Sequence, residues 1–320
     1  MKIGLLLSVW CKKYRTKNTN QSILIIYFTD KTMNQLFIGT GVALVTPFDA
    51  EGKVDYEGLL QLLQHTQDHV AYWVVHGTTG ETATTAATER ATIADFIRKN
   101  NPKNKNLVYG LGGNNTQHIL EELKEIDFTG FSAILSVSPY YNKPSQEGIF
   151  QHYTALADAA PLPIILYNVP GRTMSNITAA TTLRLAKHKN IIGIKEASGN
   201  MEQCMRIAKD KPDNFLLISG DDLLTVPLIS IGAVGVISVL ANAFPQQFGN
   251  MVQESLKGNF GDAAKNLYKL LEINDLMYVE SNPVGVKQAL ALLHVCGENV
   301  RMPLLKASAE LKEKIRLAML

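Results

Sequence analysis

From Gly39 onward the chain alternates short, nearly unbroken apolar runs with longer stretches whose apolar positions recur at helical spacing. The apolar runs are Gly41–Thr46, Tyr72–His76, Leu107–Gly110, Phe131–Val137, Pro163–Tyr167, Ile191–Lys195, Phe215–Ser219 and Val234–Ser238. They are β-branched and of strand length, as parallel strands buried on both faces require. Between them lie amphipathic segments, among them Tyr56–Asp68, Thr88–Lys99, Thr116–Ile126, Gln146–Ala159, Thr178–Lys187 and Met201–Lys209. Asp55 before Glu57 and Ser145 before Glu147 read as helix caps. Eight βα units at a spacing of roughly 25 residues predict an α/β fold, a closed (β/α)8 TIM barrel rather than an open doubly wound sheet.

The strand pattern stops near Gly258, which divides the chain into a barrel over 33–258 and a C-terminal segment over 259–320. That segment is expected to be helical in Asp262–Ile273, Val284–Leu293 and Pro303–Ala318, packed beside the barrel as an appendage or a contact surface. Residues 1–32 do not fit the pattern. Met1-Lys2 and the apolar run Ile3–Trp10 hint at a secretory leader, but a small-residue cleavage site is missing and the basic, Asn-rich Lys12–Asn20 follows. This stretch is expected to be a disordered or artefactual extension, with translation starting at Met33.

Composition narrows the classes. A chain of 320 residues that is 46% hydrophobic can bury a sizeable core. Thirty-one basic against 29 acidic residues leave a net charge of +2, so no broad field favours nucleic acid or an anionic membrane. Cys11, Cys204 and Cys296 are odd in number and far apart, which suits free thiols in a reducing, cytoplasmic setting. Gly110-Leu111-Gly112-Gly113 lacks the spacing of a dinucleotide fingerprint and reads as a turn. His65 and His69 stand four apart on a helix without an HExxH pattern, so a solvated face is expected and no metal site.

Catalytic groups of such barrels sit at the carboxyl ends of the strands. There the chain offers Gly77-Thr78-Thr79-Gly80-Glu81, Tyr140-Tyr141, Tyr167, Arg172, Lys195 and Gly220-Asp221-Asp222. Lys195 ends the run Ile191–Ile194, so its amine should stand in the barrel mouth. Apolar walls disfavour an ammonium, and a neutral amine can attack a ketone to form an imine, an electron sink for an adjacent carbanion. A lysine paired with Glu196 or Asp221 is the plainer alternative. Tyr167 ends the preceding strand and could give and take a proton beside that amine. Thr78 and Thr79 add hydroxyls, and the flanking glycines let backbone N–H groups face an anion. Arg172 could fork a carboxylate. Taken singly, these residues are also a turn, a barrel-layer side chain and a surface charge.

The segments Gly77–Glu81 (GTTGE), Pro139–Gly148 (PYYNKPSQEG), Tyr167–Thr173 (YNVPGRT) and Ile191–Asn200 (IIGIKEASGN) resemble the signature stretches of the dihydrodipicolinate synthase family. Gly41–Phe48, Gly220–Asp222 and Gly235–Val239 fit as well, so the resemblance runs from about Met33 to the C-terminus. It implies a lysine Schiff-base enzyme without a cofactor that condenses pyruvate with L-aspartate 4-semialdehyde in diaminopimelate and lysine biosynthesis. Lys195 would form the imine. Tyr167 would be the acid/base, in a relay with Thr78 and with Tyr141 from a neighbouring subunit of a homotetramer. Thr79 would hold the pyruvate carboxylate, Arg172 that of the second substrate, and Gly220 and Ile237 would line the pocket. Lysine-inhibited members carry polar, histidine or acidic groups where this chain has Ala87, Arg90 and His118; loss of an acid there implies weak or absent feedback. The nearest rivals are an N-acetylneuraminate lyase or a keto-deoxy sugar acid aldolase of the same superfamily, and a barrel that binds without catalysing.

Overall fold

The structure is a computed structural model that describes residues 35–320. The expected extension over 1–32 and the start at Met33 therefore lie outside the described residues. Eight strands follow one another as β1 (Gly39–Ala43), β2 (Tyr72–Val75), β3 (Asn106–Gly110), β4 (Phe131–Val137), β5 (Ile164–Asn168), β6 (Ile191–Glu196), β7 (Leu216–Ser219) and β8 (Gly235–Ser238). They pair in parallel in chain order, and β8 closes onto β1 from Gly39↔Gly235 to Val42↔Ser238. The outer ring is α1 (Tyr56–Thr66), α2 (Ala87–Lys99), α3 (Thr116–Glu125), α4 (Gln146–Ala159), α5 (Ala179–Leu185), α6 (Met201–Asp210), α7 (Thr225–Ser230) and α8 (Pro245–Leu256). The expected caps form: Asp55 accepts from the Gly58 N–H and Ser145 from the Gly148 N–H. No helix among the described residues is long and apolar enough to cross a membrane.

Strand alternation sorts the apolar side chains into two cores. Val74, Val108, Leu135, Ile165, Ile218 and Ile237 point inward and fill the barrel. Their outward neighbours, such as Val75, Leu107, Ile164, Leu166, Ile194 and Leu217, pack beneath the helices. Each fully buried aliphatic side chain contributes about 1.5–3 kcal/mol. The filled interior leaves chemistry to the carboxyl-end mouth.

Strand β1 ends earlier than the pattern predicts. Leu44 N–H still donates to Val74 O of β2 at 3.1 Å, but beyond it other partners take over: Val45 N–H donates to Asn242 Oδ1 at 3.1 Å, and Thr46 Oγ1 donates to Gly80 O at 2.7 Å. In the C-terminal segment, Asp262–Ile273 breaks into α9 (Phe260–Tyr268) and α10 (Leu271–Leu276), followed by α11 (Val284–Leu292). The last helix, α12, spans only Ala309–Ala318 and not Pro303–Ala318; Ser308 caps it by accepting from the Leu311 N–H.

This segment also closes over the barrel mouth. Lys287 of α11, fully buried, forms an ion pair with Glu81 just after β2, whose side chain is 2% exposed. Arg301 N–H donates to the other Glu81 oxygen at 2.9 Å, and Lys287 also donates to Asn299 O at 2.7 Å. The Lys287 and Arg301 cations stand 4.3 and 4.2 Å from the centroid of the buried Phe48 ring. Removing one member of such a pair leaves an uncompensated buried charge, at a cost of about 3–5 kcal/mol. Lys287→Met should lower the unfolding free energy by about 3 kcal/mol, and adding Glu81→Leu should recover part of the loss. Urea titration reads both; a loss below about 1 kcal/mol in the single variant would count against the pair as a structural tie.

Candidate active site

Register alone brings two of the sequence-flagged residues together. Tyr167 pairs with Lys195 and Asn168 with Glu196 across β5 and β6. Side chains alternate, so Tyr167 and Lys195 share the inner face and Asn168 and Glu196 the outer one. Lys195 is 5% exposed, and its Nζ lies over the Tyr167 ring, 4.2 Å from the centroid. An amine placed there touches the aromatic face that attracts cations.

The acids that might have paired with Lys195 are engaged elsewhere. Glu196 Oε1 accepts from Ser198 N–H at 2.8 Å, and Gln203 Nε2 donates to Oε2 at 2.9 Å. Asn168 Nδ2 spans both oxygens at 3.1 and 3.0 Å, and also donates to Asn176 Oδ1. Asp221 Oδ1 accepts from the Leu223 and Leu224 N–H groups. Asp222, buried behind it, accepts from Val239 and Leu240 N–H and so ties the end of β7 to the end of β8. Burial pushes its carboxyl up to about 6.

A cavity of about 650 Å³ opens at the carboxyl end of the barrel, with Thr78, Tyr167, Arg172 and Asn282 in its wall. Thr79 is 2% exposed and lies in the turn beside Thr78, with Asn282 Nδ2 donating to its Oγ1 at 3.0 Å. Gly220 leaves the room that the lysine stem occupies: a Cβ there would stand 3.0 Å from both Cγ and Cε of Lys195 and 2.7 Å from the Ala197 Cβ. Ile237 sits in the inner core together with Tyr167. Tyr141 is the outlier. It is 86% exposed, held in a left-handed conformation, φ +73°, and is not among the residues that line this cavity.

Beyond β2 the cavity runs toward α2 and α3. Arg90 Nη2 lies 2.7 Å from Glu122 Oε1, so the acid facing this lobe already has a cation. His118 is mostly exposed. Buried His76 is held against protonation, its imidazole lowered to about 4 mainly by burial, with Nε2 3.0 Å from Arg90 O. His65 Nε2 lies 3.1 Å from Ala243 O, so its ring is tied to the backbone after β8.

Several contributors were not flagged from sequence. Asn282, Lys287 and Arg301 reach the Thr78–Glu81 turn from about 200 positions away, and no local pattern marks such a contact. The Ser281-Asn282-Pro283 punctuation between two helical stretches was the available signal. The Asn168, Asn176 and Gln203 amides around Glu196 read in sequence as ordinary polar positions.

Residues 36–319 match the model of the dihydrodipicolinate synthetase family. The chain belongs to that family. It is 50% identical over 283 residues to a 4-hydroxy-tetrahydrodipicolinate synthase of Cytophaga hutchinsonii, an alignment covering 88% of this chain and 95% of that protein. A Flavobacterium psychrophilum protein of the same name is 47% identical over 285 residues, covering 88% of this chain and 97% of that one. Among solved structures, the dihydrodipicolinate synthase of Thermotoga maritima superposes with a TM-score of 0.86 at 35% identity, over 89% of this chain and 98% of that one. The closed barrel is thus the fold of this family as well as of this chain.

Proposed function

We propose that this chain is a 4-hydroxy-tetrahydrodipicolinate synthase of the cytoplasm, condensing pyruvate with L-aspartate 4-semialdehyde on the way to diaminopimelate and lysine. The observation that carries the reading is the Lys195 amine over the Tyr167 ring at the open end of the barrel, in a chain of this family. The Lys195 amine attacks the pyruvate ketone, water leaves, and an imine forms. Loss of a methyl proton gives the enamine, whose carbon attacks the aldehyde of the second substrate. The amine of that substrate then closes the ring on the imine carbon and displaces Lys195. Tyr167 passes the protons, with Thr78 and Tyr141 as its relay. Thr79 holds the pyruvate carboxylate and Arg172 the second carboxylate as a bidentate fork. Gly220 and Ile237 shape the pocket around the lysine. Longer hydroxylated acids, the substrates of the rival aldolases, fit this arrangement less well because Arg172 supplies a carboxylate site close to the reacting centre.

Tyr141 supports a shared site. A ring that is 86% exposed on its own chain is available to a neighbour, and a homotetramer built as a dimer of dimers would bring it into the adjoining cavity. Feedback by lysine is expected to be weak or absent, since Arg90 already neutralises Glu122 and His118 offers no anionic partner to an ammonium.

Cyanoborohydride reduction with pyruvate should leave a covalent adduct on Lys195 in the wild-type protein and none in Lys195→Ala; an unmodified wild-type lysine would sink the Schiff-base reading. Tyr141→Phe and Tyr167→Phe should each lose about 10²-fold or more in kcat, and mixing the two should restore part of the activity through hybrid sites. A mixture no better than its components would show that Tyr141 is not shared. Turnover should be unchanged by about 1 mM lysine, the concentration that would half-saturate a site binding it with about −4 kcal/mol. Inhibition below that concentration contradicts the expectation.

A further inference from the structure

The Thr78–Glu81 turn is gripped twice by the C-terminal segment. Lys287 holds Glu81, and Asn282, five residues earlier, holds Thr79. Asn282 is 6% exposed, and its Oδ1 has no hydrogen-bond partner among the described residues. The side chain's hydrogen bond therefore goes to Thr79, through Nδ2–H to Oγ1 at 3.0 Å. Glu81 itself stands in a left-handed conformation, φ +55°, and Thr46 Oγ1 holds the Gly80 carbonyl, so the turn has little freedom to follow a displaced threonine.

The bond has a chemical sense. A hydroxyl carries one proton and two lone pairs. While Thr79 Oγ1 accepts from an amide N–H, its own proton is free to point elsewhere. An amide turned the other way would accept that proton and leave only lone pairs facing a bound anion.

We propose that Asn282 is a positioning residue of the substrate-carboxylate site: its amide N–H occupies a Thr79 lone pair and so directs the Thr79 hydroxyl proton toward the carboxylate of bound pyruvate. This rests on the reading under Proposed function. It gives the C-terminal segment a part in substrate binding, carried out through the hydrogen bond to Thr79.

The test compares Asn282→Asp, Asn282→Leu, Thr79→Val and the Thr79→Val/Asn282→Leu double variant with wild type. The readout is the pyruvate concentration that half-saturates cyanoborohydride trapping at Lys195, referenced to wild type at each pH. In the Asn282→Asp variant the ionised carboxylate can only accept, so it draws the Thr79 proton away and sets a negative charge near the incoming substrate carboxylate. Asn282→Asp should raise half-saturation about 10- to 100-fold at pH 8 and return toward wild type near pH 5.5, where a protonated carboxyl donates again. Asn282→Leu should raise it about 10-fold at both pH values. The double variant should bind no worse than Thr79→Val alone, because Asn282 acts through that hydroxyl.

Half-saturation within about twofold of wild type in the Asn282→Asp variant at pH 8, or additive losses in the double variant, overturns the proposal. Asn282→Asp keeps the size and shape of the side chain, so the experiment stands even if Asn282→Leu does not fold. Absence of any adduct in wild type overturns the proposed function and this inference with it. A wild-type adduct with unaltered variants overturns the inference alone.

Discussion

The ion pair between Lys287 and Glu81 is the constraint on which the mouth of this barrel depends. Its partners lie 206 positions apart and are both closed to water. Desolvating two charges offsets most of their mutual attraction, so the pair contributes more to geometry than to net stability. It admits one arrangement of the C-terminal helices over the turn after β2. Arg301 N–H and the Phe48 ring complete the surroundings of the two charges, drawing in the loop that follows β1. The turn that carries Thr78 and Thr79 is consequently a product of both ends of the chain. A barrel cut at the end of its outer ring would lose the Lys287, Arg301 and Asn282 contacts that hold this turn.

Within the barrel, one strand register builds two separate polar systems. The step from residue 167 to 168, matched by that from 195 to 196, sends the phenol and amine to the inside and the amide and carboxylate to the outside. Glu196 would be a natural partner for its neighbour Lys195 if backbone direction did not forbid it. Instead three neutral groups, Asn168, Gln203 and the Ser198 N–H, satisfy the carboxylate beneath the helices. Gly220 supplies the remaining condition by leaving the lysine stem a channel between β6 and β7.

Much of the fold was legible because it is periodic. Eight apolar runs of strand length predicted eight strands, and each lies within a few residues of its predicted bounds. The errors came where a tertiary partner overrode local pattern. Val45 and Thr46 are β-branched and continue a strand-like run, yet Asn242 takes the Val45 N–H and the Gly80 carbonyl the Thr46 hydroxyl, so the ladder stops at Leu44. Pro303–Ala307 continued a helical-looking stretch, but Ser308 caps the helix and sets its start after them. At the site, Lys195 and Tyr167 could be paired in advance because alternation across neighbouring strands is a local rule. Asn282 and Lys287 could not, since each makes its decisive contact with a turn about 200 positions away.

The amino-terminal pole of the barrel is sealed by a different device. Phe37 is fully buried and meets Tyr72, at the start of β2, edge to face at 5.5 Å, while the Leu36 carbonyl accepts from Asn106 at the start of β3. The described chain thus enters its fold through the floor, at the end farthest from the cavity. A tether joined directly at residue 35 would start from the pole opposite the mouth, which makes that point of the fold the natural handle for immobilising the enzyme.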